Sequence, residues 1–247
     1  MNALTEQFFQ ADFPGWQPSQ DFDTVWQSFW TTQEIPILEL DLGVDPATLL
    51  AWAKKNDDRF VSAWNASQIE QQAQNSGRAW YKQPSRHGQQ DLQLSGTYPQ
   101  RRKLLDNSSA VELDSQYRHI HTDAPNDLKI QLEQMGFDGI HGLKIAKLEP
   151  GGYLEPHKDP LMMSDTMIHI WIPLHSSQAN LKIWPSGLLH HQVGSVYMLN
   201  NQSFVHSIAN FDTEPRYVVL AKIDPTKTSS ELVAKIRTAL KQQWFSN

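Results

Sequence analysis

Tyr153-Leu-Glu-Pro-His-Lys-Asp-Pro160 places a histidine and a carboxylate two residues apart in a stretch read as extended backbone. Side chains at i and i+2 share one face of a strand, so His157 and Asp159 can reach one cation together. Taken alone, a His-x-Asp pair is a weak signal. It strengthens with a third candidate ligand, His206 in Ser203-Phe-Val-His-Ser207, which lies 49 residues after His157 in a β-rich run. Two imidazoles and one carboxylate on one face, with positions left open, suit non-haem Fe(II) and dioxygen chemistry.

Working outward, the residues after Gly139 break into short β-type runs separated by turn residues. These are Leu143–Leu148, Met167–Leu174, Leu181–Trp184, Ser195–Leu199 and Arg216–Ile223, a pattern that predicts a sandwich or barrel. Pro173 inside the second run predicts an edge or a bulge. Arg216 opens the last run, where an unpaired guanidinium is costly to bury. It therefore calls for an anion. A guanidinium forks onto a carboxylate with two parallel hydrogen bonds, which suits the distal carboxylate of 2-oxoglutarate if Arg216 points inward.

Before Gly139 the chain reads as strand, then helix. Ile35–Leu42 alternates as a strand would, and Asp45-Pro-Ala-Thr-Leu-Leu-Ala-Trp-Ala-Lys54 opens with an N-cap and a proline at the first helical position. Residues 1–34, rich in aromatics and glutamine, read as an arm packed on the body, and the 77–92 stretch as a mobile loop. Asn126–Met135 fits a helix ending near Gly136, and Thr228-Ser-Ser-Glu231 a capping box opening a C-terminal helix. The expected organisation is one compact unit: a 1–140 α/β region packed on the core, a 141–226 β core, and a 227–247 helix.

Composition sets the outer bounds. The chain has 247 residues, 39% of them hydrophobic and 10% aromatic, enough for a sizeable core. With a formal charge of −6 and no dense basic block, nucleic-acid binding is not expected. The absence of cysteine excludes disulfides, thiolate metal sites and a cysteine nucleophile, so a metal must use His, Asp or Glu. No leader pattern and no long apolar run occurs, which reads as a cytoplasmic protein without a membrane partner.

These residues resemble the 2-oxoglutarate/Fe(II) oxygenases of aspartyl/asparaginyl β-hydroxylase type over roughly residues 143–224. The resemblance rests on Leu148-Glu-Pro-Gly-Gly152, Pro156-His-Lys-Asp-Pro160, the run holding His169, Gly194, Val205-His-Ser-Ile-Ala-Asn210 and Arg216. It implies a mainly β fold with flanking helices around a double-stranded β-helix (jelly-roll, cupin-like) core. It also implies His157, Asp159 and His206 as Fe(II) ligands, Arg216 as the holder of 2-oxoglutarate, and His169 as a helper at the same carboxylate. The reaction implied is hydroxylation by dioxygen. Where the family often has an arginine two residues before the strand histidine, this chain has Met167. Asp159 supplies a ligand that the namesake vertebrate enzymes lack, and its presence argues against halogenation.

Plainer readings stand beside these. His157 with Asp159 also fits a surface turn, and His169 a satisfied core histidine. His119-Ile-His-Thr-Asp123 reads as a loop with Asp123 capping a helix, His190-His191 as a solvated turn, and Trp171 and Trp184 as core. For substrate, Arg78, Trp80, Tyr81, Arg86 and Tyr153 join basic and aromatic groups and suit a carboxylate-bearing amino acid or peptide, although each also fits an ordinary surface position. A cupin-like metalloenzyme without 2-oxoglutarate and a non-catalytic β-barrel binding protein remain as rival classes.

Overall fold

The computed structural model describes residues 37–62, 86–96, 120–157, 168–184, 187–201, 204–223 and 227–244. The strands are β1 (Ile37–Leu40), β2 (Val61–Ser62), β3 (Arg86–Gly96), β4 (Ile140–His157), β5 (Ile168–His175), β6 (Asn180–Trp184), β7 (Gly187–Leu189), β8 (Val196–Leu199), β9 (His206–Asn210) and β10 (Arg216–Ile223). Among the described residues three α-helices accompany them, α1 (Ala47–Lys55), α2 (Asp127–Gln134) and α3 (Ser230–Trp244), with a 3-10 turn at Asp57–Arg59. The protein is mainly β, with no described helix long and apolar enough to cross a membrane.

The strands join antiparallel in the order β1-β8-β5-β10-β4-β9-β6-β7. β4 serves twice: Ile140–Leu148 pairs with β10, and Tyr153–His157 pairs with β9. With its two halves counted as first and second strands and β5 to β10 as third to eighth, one sheet runs 6-3-8-1 and the other 2-7-4-5. That interleaving of two four-stranded sheets is the double-stranded β-helix, or jelly roll. The corner in β4 falls at Gly151, which adopts a φ of +71°. Across it lies Gly88 of β3, also at +71°, where an added Cβ would stand 3.3 Å from the Gly152 Cα. Glycine lets both ribbons turn and approach there.

β3 overturns one expectation. Arg86–Gly96 is not part of a mobile loop but a strand paired along β4, with Asp91, Leu92 and Leu94 buried. Pro173 sits in a central strand, not at an edge; the irregularity is a register shift between Pro173 and His175 opposite Val218 and Tyr217. Asp123 does not cap α2; it pairs with Arg59 at 2.6 Å.

Alternation divides each strand between two environments. Ile170, Ile172 and Leu174 of β5 and Tyr217, Val219, Ala221 and Ile223 of β10 face a core closed by Leu49 and Ala53 of α1, Leu128 and Leu132 of α2, and Leu232 and Ile236 of α3. The opposite face lines the inside of the roll and carries a separate cluster that includes Trp171, Trp184, Tyr197, Leu199 and Val218. Helices thus seal one side. The interior face, with its buried polar side chains, is where a site can form.

Candidate functional site

β4 and β9 place their histidines directly opposite each other, His157 against His206 in the strand register. Residues in that relation point to the same face. Their ring centroids are 4.3 Å apart, close enough for both imidazoles to meet one cation. Each ring has its Nδ1 aimed at a backbone carbonyl two residues upstream, His157 at Glu155 O (2.6 Å) and His206 at Phe204 O (3.3 Å). Donation from Nδ1 to these carbonyls sets the tautomer whose Nε2 carries the lone pair a metal needs. His206 is 3% exposed, and its ring stands 5.4 Å from that of Trp184. Among the described residues no group of three or more His, Asp or Glu side chains surrounds a metal position. Asp159, the expected third ligand, lies outside the described residues. The donor chemistry of the histidine pair fits a borderline divalent ion such as Fe(II).

Arg216 shares the interior face of β10 with Val218. It is 2% exposed, its Cζ is 4.8 Å from the centre of the Trp171 ring, and its Nη2 donates to His191 Nδ1 at 3.1 Å. Its Nε and Nη1 have no hydrogen-bond partner among the described residues. Burial pulls its pKa down to about 9, which still leaves it charged at neutral pH. Lys182 of β6, fully buried, places its Nζ 3.6 Å from the same Trp171 ring and 3.5 Å from Asn201 Oδ1. A buried guanidinium with donors unpartnered among the described residues, sharing the Trp171 ring with a second cation, has the chemistry to receive an anion. A carboxylate fits its chemistry.

His191 corrects the reading of His190-His191 as a solvated turn. His190 is exposed, but His191 is 6% exposed, stacked on Trp171 (4.6 Å, 20°) and edge-on to Tyr197 (5.0 Å, 90°). Burial first, and then the charges of Arg216 and Lys182, hold its pKa well below 6.5, so the ring is neutral. Trp171 and Trp184 are buried, as a core reading expects, yet Trp171 is also the platform over which both cations stand. A polar flanking sequence hides His191; only the ring contacts reveal it.

The register sets His169 well apart from Arg216 along the sheet. His169 faces Lys222 in the β5–β10 register, six residues along β10 from Arg216, about 20 Å at strand rise, with Trp171 on the same face between them. Tyr153 lies opposite Ala209, so alternation turns it away from the interior face that carries Ile208 and His206. Arg86 belongs to β3, opposite Leu154. Arg78, Trp80 and Tyr81 lie outside the described residues.

No family model and no curated protein matches the chain. Among solved structures, similarity extends to a Pseudomonas putida prolyl-4-hydroxylase (10% identity, 83% of this chain and 98% of that one, TM-score 0.44). It extends also to the non-heme alpha-ketoglutarate-dependent epimerase SnoN from nogalamycin biosynthesis (12% identity, 83% and 87%, TM-score 0.45). A predicted oxalate decarboxylase from Thermotoga maritima matches over 38% of this chain and 73% of its own (18% identity, TM-score 0.28). The strand order, not these likenesses, defines the fold.

Proposed function

We propose that the protein is a non-haem Fe(II)- and 2-oxoglutarate-dependent dioxygenase that hydroxylates an unactivated C–H bond. The substrate class proposed is a carboxylate-bearing one, a free amino acid or an acidic residue of a peptide, as the resemblance to the aspartyl/asparaginyl β-hydroxylases implies. One observation carries the reading: a face-sharing histidine pair in the same β-helix as a buried guanidinium whose Nε and Nη1 have no hydrogen-bond partner among the described residues. His157 and His206, with Asp159, would hold the iron. When bound, iron and 2-oxoglutarate supply the oxidising chemistry, with dioxygen consumed and succinate and CO2 released. Arg216 would take the distal carboxylate and so fix the keto acid's orientation. Trp171 beside Arg216 and Trp184 beside His206, both buried, would help to keep water from these two side chains.

Succinate release from 2-oxoglutarate by the iron-loaded protein tests this reading. It should require Fe(II) and dioxygen and disappear in His157→Ala and His206→Ala. Iron-loaded protein that is indifferent to the keto acid would instead point to a cupin-like metalloenzyme without 2-oxoglutarate.

A further inference from the structure

The proposed chemistry leaves His191 without a task, although the chain buries it in the connection between β7 and β8 and stacks it on Trp171. Its partner dictates its tautomer. A guanidinium only donates, so the 3.1 Å contact with Arg216 Nη2 requires a lone pair on His191 Nδ1 and puts the ring proton on Nε2. Nε2 has no partner among the described residues and points from the far side of the ring, away from Arg216. The useful contact is therefore Nδ1.

An arginine in a binding site is commonly held by a carboxylate, which orients it and also cancels its charge. His191 orients without cancelling. It occupies one of the five N–H donors of Arg216 through a neutral acceptor and leaves Nε and Nη1 to an incoming anion. Packing against Trp171 and Tyr197 locks the imidazole itself. Resting on the oxygenase reading, we infer that His191 is the positioning residue of the co-substrate pocket, holding Arg216 through a neutral hydrogen bond so that its full charge meets the distal carboxylate of 2-oxoglutarate.

The test is anaerobic binding of two keto acids to Fe(II)-loaded protein: 2-oxoglutarate, and 2-oxobutyrate, which lacks the distal carboxylate. His191→Leu should weaken 2-oxoglutarate about 10-fold and leave 2-oxobutyrate unchanged. His191→Gln, which restores a neutral acceptor, should recover most of the loss. His191→Glu, which gives Arg216 a carboxylate of its own, should bind 2-oxoglutarate more weakly than His191→Leu. Wild-type affinity in His191→Leu would overturn the inference and leave the oxygenase reading intact, as would equal loss for both keto acids in all three variants. Failure of the wild-type protein to bind 2-oxoglutarate would overturn the inference and the oxygenase reading together.

Discussion

Arg216 is a buried cation with two donors unpartnered among the described residues, and two opposite consequences follow from that. Arg216→Met removes a desolvated charge with orphaned donors, so the metal-free variant should unfold at denaturant concentrations no lower than wild type. The same variant should lose roughly 2–5 kcal/mol of 2-oxoglutarate binding while retaining iron. Destabilisation with unchanged keto-acid affinity would make Arg216 structural. His191 adds a pH dependence whose sign is fixed by its environment. Its folded-state pKa lies well below 6.5, so below about pH 6.5 the unfolded chain takes up a proton that the folded chain refuses. Stability contributed by the neutral ring is present above that pH and is lost as pH falls toward the folded pKa. Denaturation curves between pH 7 and 5 should therefore fall less steeply for His191→Gln than for wild type; parallel curves would contradict the assignment.

At the scale of elements, the strands after Gly139 were legible because β-branched and aromatic runs alternate with turn residues, and they became the jelly roll. β3 was not. Its Gln-rich stretch offers little beyond Leu92 and Leu94 as apolar signal, and it is a strand because β4 presents an edge to pair with, a fact of tertiary structure. In the sequence β4 reads as ending at Leu148, since Pro150 and the glycine pair look like a terminator; they are a corner within one long strand. Of the candidate site, the histidines and Arg216 could be picked out by residue type and spacing, but which strand faces which cannot be read from one sequence. That is why the sequence does not show that His169 stands opposite Lys222, or that His191 is buried against Trp171 and not in a solvated turn. The join between α2 and α3 gives a stability test. Gly136, at φ +102°, ends α2, and Ser229 Oγ caps α3 by accepting the Leu232 N–H at 3.2 Å. A methyl group on Gly136 would run into Ser229 Oγ. Ser229→Ala should cost about 1 kcal/mol and Gly136→Ala about 1–3 kcal/mol by chemical denaturation. A neutral Gly136→Ala would mean that this turn relaxes freely.

For the whole molecule, helices seal the outer face of one sheet while the inside of the roll keeps lysine, arginine, histidine and asparagine out of water. Within it Arg216 keeps two donors that have no partner among the described residues, so binding of an anion there should stabilise the entire fold. Glutarate, which has both carboxylates and no keto group, should raise the melting temperature of the metal-free protein. At 100 times its Kd the gain is about 2.7 kcal/mol, or about 5–10 °C for a chain of this size. No shift at saturating glutarate would deny the anion pocket. In the proposed reaction one small molecule would join Arg216 to the histidine pair, and the measurement that probes the junction is anaerobic titration of the Fe(II)-loaded protein with 2-oxoglutarate. A weak visible charge-transfer band should grow to saturation at one equivalent per iron and vanish in His206→Ala. Iron bound by wild type with no band at any keto-acid concentration would contradict the account.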